Sequence, residues 1–235
     1  LVRVSPKVQG TDAERLGIRE VLGVGKSNFS GSPTNRRYNI KLGAQRVHGS
    51  LLAPEGEFSL IKTLGRIDGK NGWLPELVIK GNKTTPEFGG GLCQIGTTTF
   101  RGALNSGLPI TERRSHSYRV RYYEPAGTDA TIYEPSPDFK FKNDTGNWIL
   151  ITTKITGDNV AFTFWGTSDG RTVDLKKPVI YNITPAPKKK IIETTNLAPG
   201  KVKCTESAHA GATAKLGYHV TYANGETKKV TFMSV

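Results

Sequence analysis

A run of glycines at residues 89–91 stands directly before Cys93 and a stretch, residues 95–106, whose composition is typical of a helix. Glycine tolerates positive φ and close approach of another backbone, so the run predicts a tight turn that leads into a helix N-terminus. Unpaired N–H groups and the helix dipole favour negative charge there. Most free cysteines are small buried hydrophobes, but a thiol in this position ionises readily, and we interpret Cys93 as a nucleophile.

Length and charge narrow the classes of protein that the chain fits. Its 235 residues fit one large or two modest domains, and a net charge of +13 favours polyanionic partners: nucleic acid, anionic membrane or cell-wall polymer. No nucleic-acid motif is present, and the glycine run lacks the lysine of a P-loop, so we expect no nucleic acid. Because the chain begins with Leu1, we expect a fragment with a signal or membrane anchor upstream.

The first part of the chain is predicted to be helical. Asp12 suits the N-cap of a helix over residues 13–22, a loop is predicted over residues 23–35, and a second helix over residues 36–47. Extended structure is expected from residue 58 to residue 61.

From residue 118 onward, hydrophobic residues recur at every second position. Alternation over residues 118–122 and 139–142 predicts strands, and residues 148–155 and 160–165 predict a hairpin around a Gly-Asp-Asn turn. We therefore predict an α+β catalytic domain with N-terminal helices, a helix that carries Cys93, and an antiparallel sheet.

Loop-forming residues 166–170 mark a predicted boundary, and the remainder shows strand patterns only, with an Asn224-Gly225 turn. A small all-β module is expected there. The predicted divisions are a lead-in over residues 1–16, the α+β domain over 17–170 and the β module over 171–235.

A cysteine nucleophile needs a base and an orienting group. The chain offers four histidines, His48, His116, His209 and His219. His116 follows the Cys93 helix at a point where the chain must turn back, so we predict that it is the base, with Asp129 as its partner. Further ligands at metal-binding spacing are lacking, so neither a metal nor another cofactor is expected. A Cys93–Cys204 disulfide is the remaining alternative for the thiol.

Two clusters of basic residues fit either a solvated surface or a groove for an anionic polymer or a substrate carboxylate. They are Arg36, Arg37, Lys41 and Arg46 in one cluster and Arg113, Arg114, Arg119 and Arg121 in the other. In the cysteine pocket itself, Gln94 and Thr97 are candidates for substrate contact.

Several motifs together resemble the VanW domain over about residues 17–170. They are Gly89-Gly90-Gly91-Leu92-Cys93-Gln94, His116-Ser117-Tyr118, Gly127-Thr128-Asp129-Ala130-Thr131, Arg37 with Asn39, and Phe139-Lys140-Phe141-Lys142-Asn143. The tail is similar to a G5 domain, a β-rich module of extracellular bacterial proteins, through Gly200-Lys201-Val202 and Asn224-Gly225-Glu226.

The VanW resemblance implies L,D-transpeptidation, the formation of 3-3 peptidoglycan cross-links. Cys93 would then be the nucleophile, His116 the base and Asp129 its orienting group. The N–H groups of Gly90, Gly91 and Leu92 would form the oxyanion hole. The expected substrate-binding residues are Gln94, Thr97, Ser117, Tyr118, Arg37 and Asn39. A glycine, Gly96, stands where the family usually has serine.

The expected partners are peptidoglycan stem peptides and wall glycan, and the expected location is the bacterial cell envelope, secreted or membrane-anchored. The oligomeric state is left open. Two rival functions also remain: a cysteine amidase or endopeptidase that accepts water instead of an amine, and a non-catalytic wall-binding protein.

Overall fold

Antiparallel sheets dominate the computed structural model, which describes residues 14–80, 83–204 and 207–235. The helices are α1 (Thr34–Val47), α2 (Leu60–Leu64) and α3 (Leu92–Asn105), with 3₁₀ turns at Gly69–Asn71 and Arg121–Tyr123. The strands are β1 (Glu20–Asn28), β2 (Ser50–Leu52), β3 (Glu57–Ser59), β4 (Pro75–Lys80), β5 (Lys83–Phe88), β6 (Ile110–Glu112), β7 (Lys140–Lys142), β8 (Ile149–Thr156), β9 (Asn159–Gly166), β10 (Thr172–Leu175), β11 (Val179–Thr184), β12 (Gly211–Thr221) and β13 (Thr227–Ser234).

The central sheet has the order β1-β9-β8-β2, and α3 lies against it. Two glycines make this contact close. A Cβ on Gly25 of β1 would lie 2.0 Å from the carbonyl oxygen of Thr98, and one on Gly102 of α3 would lie 2.2 Å from the Phe164 ring. Helix α3 is therefore held at backbone contact distance from the sheet, and this fixes the position of its N-terminus.

The remaining elements of the first part of the chain surround that N-terminus. Strands β3, β7 and β6 form a small sheet, and β4 and β5 form a hairpin that leads directly into the glycine turn before α3. The core is apolar and contains Phe100, Phe141, Phe162 and Phe164, all fully buried.

The C-terminal sheet is built around β12, which pairs with β13 along one edge and with β10 and β11 along the other. It shares the core of the preceding sheets. The Tyr218 hydroxyl donates to the carbonyl of Leu108 at 3.1 Å, and the ring of Phe232 meets Phe100 edge to face at 5.4 Å. These contacts join residues before and after position 171. The domain boundary predicted there stays a prediction.

Local patterns predicted some elements correctly and others wrongly. Helix α1, strand β7 and the β8–β9 hairpin agree with prediction. The helix predicted over residues 13–22 is wrong beyond Arg15: residues 16–17 form a turn, and β1 begins at Glu20, where it pairs with β9. Asp12 lies outside the described residues.

The loop predicted over residues 23–35 is also wrong in its first part, which belongs to β1. Residues 58–61 are extended only as far as Ser59, where α2 begins. The alternation over residues 118–122 does not form a strand, because this segment pairs with no described strand and residues 121–123 make a 3₁₀ turn.

Candidate active site

Cys93 is the second residue of α3, and the glycine turn before it is tightly packed. Gly91 is the N-cap with φ 108°, and a Cβ on it would lie 2.8 Å from the Cγ of Arg36. A Cβ on Gly90 would lie 2.8 Å from the backbone oxygen of Glu76. Side chains at these positions would collide with their neighbours, so the turn requires glycine.

Asn39 is fully buried on α1 and links the glycine turn to the residue that precedes β4. Its side-chain amide donates to the carbonyls of Leu74 at 2.9 Å and Gly90 at 3.0 Å. Its oxygen accepts from the Leu74 N–H at 2.9 Å. Asn39 thus satisfies buried backbone groups that the irregular turn leaves unpaired.

His116 lies between Cys93 and Asp129. Its Nδ1 is 2.6 Å from Asp129 Oδ2, and its backbone N–H donates to the same oxygen at 2.8 Å. The imidazole is also hydrogen bonded to the Cys93 thiol, and Nε2 is the nitrogen left for that contact. Sγ lies 3.4 Å from Thr131 Oγ1 and 3.6 Å from the carbonyl oxygen of Ile132.

The electrostatics favour charge separation between the thiol and the imidazole. Burial raises the pKa of Cys93, but the charge and hydrogen bond of His116 outweigh it and lower the pKa from 9.0 to about 7. Burial lowers the pKa of His116, but the Cys93 thiolate and Asp129 raise it from 6.5 to about 9. Between those two values the pair exists as thiolate and imidazolium, the form that attacks a carbonyl.

Arg113 completes this line of charges. Its Nη2 is 3.0 Å from Asp129 Oδ1, and its Nε donates to the Asp129 carbonyl at 2.7 Å. Burial raises the pKa of Asp129, but His116 and Arg113 lower it below its ordinary value. Asp129 therefore remains ionised and holds the imidazole in one orientation.

Tyr123 connects His116 to a second arginine. Its ring stacks on the imidazole with centroids 4.7 Å apart, and its hydroxyl accepts from Arg36 Nη2 at 3.3 Å. Arg36 Nη2 also donates to Gln94 Oε1 at 2.9 Å, and Nη1 donates to Ser32 Oγ at 2.5 Å. The guanidinium lies over the Tyr122 ring, 4.2 Å from its centroid.

Cys93 and His116 open into a cleft of about 1190 Å³, which a second cleft of about 600 Å³ adjoins on the other side of His116. The wall of the first cleft contains three arginines and three glutamates. These residues are Arg36, Arg119, Arg121, Glu76, Glu87 and Glu134. Both clefts are lined by Tyr118 and His209, whose rings stack 4.6 Å apart.

Comparison with known proteins places the chain in a family. Residues 35–165, more than half of the chain, match the family described as VanW like protein. The chain belongs to this family. The uncharacterized protein YoaR of Bacillus subtilis (strain 168) is 30% identical over 164 residues, which are 70% of this chain and 54% of YoaR. The vancomycin B-type resistance protein VanW of Enterococcus faecalis (strain ATCC 700802 / V583) is 33% identical over 116 residues, 47% of this chain and 42% of that protein.

The VanW-like chain therefore spans about half the length of these curated relatives. No solved structure matches it. The family match ends at residue 165, before the C-terminal sheet, so the G5 resemblance of the tail stays a prediction.

The structure brings the three predicted catalytic residues of this VanW-like chain together, with His116 between Cys93 and Asp129. Cys93 is a free thiol, so the alternative bridge to Cys204 is not formed. Within the described ranges, no group of three or more His, Cys, Asp or Glu residues is arranged to hold a metal ion. No helix of the described part is long and apolar enough to cross a membrane.

The predicted oxyanion hole needs one correction. The Leu92 N–H donates to the carbonyl of Gly89 at 3.0 Å and is not available to a substrate. The N–H groups of Gly90, Gly91 and Cys93 make no backbone hydrogen bond within the described residues. The Cys93 N–H belongs to the residue that carries the thiol, so it is the better candidate in place of Leu92, together with the N–H of Gly91.

Four of the predicted substrate-binding residues must be corrected as well, because they support the fold instead. Gln94 and Thr97 are fully buried: Gln94 donates to the Asn28 carbonyl at 3.1 Å, and Thr97 Oγ1 accepts from the Ala130 N–H at 3.1 Å. Asn39 holds the glycine turn, as described above.

Arg37 is the fourth. It pairs with Asp158 in the β8–β9 turn at 2.5 Å, outside the cleft. Of the other two predicted contacts, Tyr118 lines both clefts and Ser117 lines the second.

Arg36 and Arg113 are the functional candidates that sequence reasoning did not single out. Both were grouped with neighbouring surface arginines, because a basic residue on a helix or before a strand gives no local sign of burial. Arg36 is 8% exposed, whereas its neighbour Arg37 is only partly buried. Their burial comes entirely from tertiary contacts.

Proposed function

We propose that this VanW-like protein is a cysteine acyltransferase of the bacterial cell wall, an L,D-transpeptidase that forms 3-3 cross-links between peptidoglycan stem peptides. The observation that carries the proposal is the hydrogen-bonded Cys93–His116–Asp129 arrangement at a helix N-terminus in an open cleft. A relative named for vancomycin resistance supports a cell-wall setting. The proposed location is the outer face of the cell envelope.

In the first step the Cys93 thiolate attacks the carbonyl carbon of the third residue of a tetrapeptide stem. The tetrahedral oxyanion is held by the N–H groups of Cys93 and Gly91. The C–N bond then breaks, and the imidazolium of His116 gives its Nε2 proton to the departing amine of D-Ala. A thioester at Cys93 and a neutral imidazole remain.

In the second step the side-chain amine of a neighbouring stem attacks the thioester. Neutral His116 accepts the proton of that amine, the new amide bond forms, and the C–S bond breaks to regenerate the thiolate and imidazolium. If water attacks instead, the same residues produce a shortened stem. Transpeptidation and hydrolysis therefore differ only in which nucleophile reaches the thioester.

The walls of the cleft suit such substrates. Stem peptides carry carboxylates and an amine, and the wall of the cleft contains both arginines and glutamates. The net charge of +13 favours the anionic polymers of the wall. We further propose that the C-terminal sheet serves as a wall-binding G5-like module.

The test is mass spectrometry of the protein incubated with disaccharide-tetrapeptide. Wild-type protein is compared with Cys93→Ala and with Cys204→Ser, which removes the other, exposed thiol. We expect cross-linked dimers that have lost one D-Ala in the wild type and in Cys204→Ser, and none in Cys93→Ala.

Shortened monomers alone, dependent on Cys93, would assign the protein to the hydrolases. If the folded wild type gives no product and no acyl adduct on Cys93, the acyltransferase proposal is wrong and a non-catalytic wall-binding role replaces it. Products that persist in Cys93→Ala would exclude Cys93 as the nucleophile.

A further inference from the structure

Arg36 carries a buried positive charge without a carboxylate partner among the described residues. Its side chain is enclosed by neutral groups: the hydroxyls of Ser32 and Tyr123, the amide oxygen of Gln94 and the ring of Tyr122. Arg36 is 8% exposed and contributes to the wall of the Cys93 cleft. Burial of an unpaired charge is unfavourable, so its retention calls for an explanation.

Arg101, the arginine of α3, shows how a partly buried guanidinium with a structural role is bound in this protein. Its three nitrogens donate to the carbonyls of Lys26, Tyr123, Glu124 and Thr128 and to the Thr128 hydroxyl. The nitrogens of Arg101 are thus all engaged by fixed acceptors, mainly backbone carbonyls, and this side chain fastens the loop after Tyr123 to α3 and β1.

Arg36 differs from Arg101 because some of its N–H groups have no hydrogen-bond acceptor within the described residues. A guanidinium has five N–H groups, and the contacts of Arg36 use three of them. The Nε–H and one Nη1–H have no acceptor within the described residues. These two N–H groups lie on different edges of the planar guanidinium, so each is open to a single acceptor atom, and a carboxylate oxygen is the acceptor that an arginine with an unpaired charge binds best.

Arg36 also lies close to the reacting atoms. Its Cγ would contact a Cβ on Gly91 at 2.8 Å, and its Nη2 binds the side chain of Gln94, so it flanks Cys93 from the residues on both sides. In a leaving group of one amino acid, only the N and Cα atoms separate the scissile carbonyl carbon from the carboxylate carbon, a distance of about 4 Å or less. Arg36 and Cys93 line the same cleft, so a carboxylate this close to the reacting carbonyl is within the part of the cleft that the arginine can serve.

We propose that Arg36 forms a carboxylate subsite that recognises the free C-terminal carboxylate of the donor peptide, on the amino acid that leaves. This inference rests on the proposed function and specifies its donor: a peptide that ends one residue after the scissile bond. Arg36 donates an open N–H group to the carboxylate and neutralises its charge, while Ser32, Gln94 and the two tyrosines hold the guanidinium in place.

Binding to the Cys93→Ala protein tests this without turnover. Isothermal titration calorimetry compares a disaccharide-tetrapeptide that has a free C-terminal carboxylate with the same compound as its C-terminal amide. We expect the acid to bind about tenfold or more tightly than the amide, since a charge-assisted hydrogen bond contributes about 1.5–3 kcal/mol. In the Cys93→Ala/Arg36→Gln protein, we expect acid and amide to bind equally.

Arg37→Gln is the matched control, because it removes the same charge one residue away and outside the cleft; its preference for the acid must persist. Arg36→Lys keeps the positive charge but lacks the planar guanidinium with its several N–H donors. It is expected to retain only part of the preference for the acid over the amide. Circular dichroism verifies that each variant is folded. If Arg36→Gln does not fold, the acid–amide comparison in the Cys93→Ala protein alone still decides.

Equal binding of acid and amide to that protein, no binding of either, or a preference that survives Arg36→Gln would overturn the subsite. Different results would refute the acyltransferase proposal and the Arg36 subsite. Wild-type protein that cross-links acid and amide donors with equal kcat/KM would keep the acyltransferase and reject the subsite. An acid preference in a protein that never forms an acyl adduct on Cys93 would keep the subsite and reject the acyltransferase.

Discussion

Replacement of His116 by glutamine should abolish the low pKa of the Cys93 thiol. Burial alone raises that pKa, and the charge and hydrogen bond of His116 are the largest causes that lower it to about 7. Without the imidazolium, we expect the pKa to return to about 9 or above. At pH 7 the thiolate fraction then falls from about one half to about 1%, roughly a 50-fold loss.

The rate of alkylation by iodoacetamide falls less than the thiolate fraction does. A thiolate of higher pKa is intrinsically more nucleophilic, and a Brønsted slope of about 0.4–0.5 over two pKa units returns about six- to tenfold. The net decrease at pH 7 is therefore about five- to eightfold. The midpoint of the rate against pH separates the two effects, because it follows ionisation alone.

The assay is alkylation from pH 5 to pH 10, read by peptide mass spectrometry so that Cys93 is distinguished from Cys204. His48→Gln is the control, because His48 lies at the end of α1, where its Nδ1 accepts from the Thr153 N–H at 2.9 Å and lies 3.4 Å from the Thr153 hydroxyl. Wild type and control should show midpoints near 7. A midpoint near 7 in His116→Gln would refute the ion-pair argument and assign the low pKa to the helix N-terminus.

Three further predictions concern the same site. For wild type, kcat/KM for stem peptides should form a bell against pH, rising through about 7 as Cys93 ionises and falling through about 9 as His116 loses its proton; a profile that keeps rising above pH 9 would contradict this. Asp129→Asn should destabilise the fold by about 3–5 kcal/mol in urea, because it leaves Arg113 buried and unpaired, and a loss below 1 kcal/mol would argue against that pairing. Gly96→Ser should cost about 1–3 kcal/mol, because its Cβ would lie 2.9 Å from the backbone carbonyl oxygen of Ala130, and an unchanged Tm would contradict the predicted clash.

Local patterns sufficed where an element is defined by its own residues. The β8–β9 hairpin has alternating residues on both sides of a tight turn, and the observed strands follow them. The glycines before Cys93 and the position of His116 after α3 led to the geometry that is observed, because few chain paths connect them. These signals do not depend on distant partners.

Elements that depend on distant partners were missed. Strand β1 contains Gly23 and Gly25, which look like loop residues, but the structure needs them for contact with α3. Its pairing partner β9 lies more than 100 residues away along the chain. The same reason explains Arg36 and Arg37, which are adjacent in sequence but differ in burial through contacts that the sequence does not show.

The charges around Cys93 alternate in sign, which explains how several charged groups are buried close together. Thiolate, His116 imidazolium, Asp129 and Arg113 form a line of opposite neighbours whose sum is zero, so each buried charge is stabilised by the next. Arg36 stands outside this line and adds one positive charge. Under the proposed mechanism that charge binds the donor only while its C-terminal amino acid is attached, so departure of that amino acid leaves the Arg36 charge unpaired again.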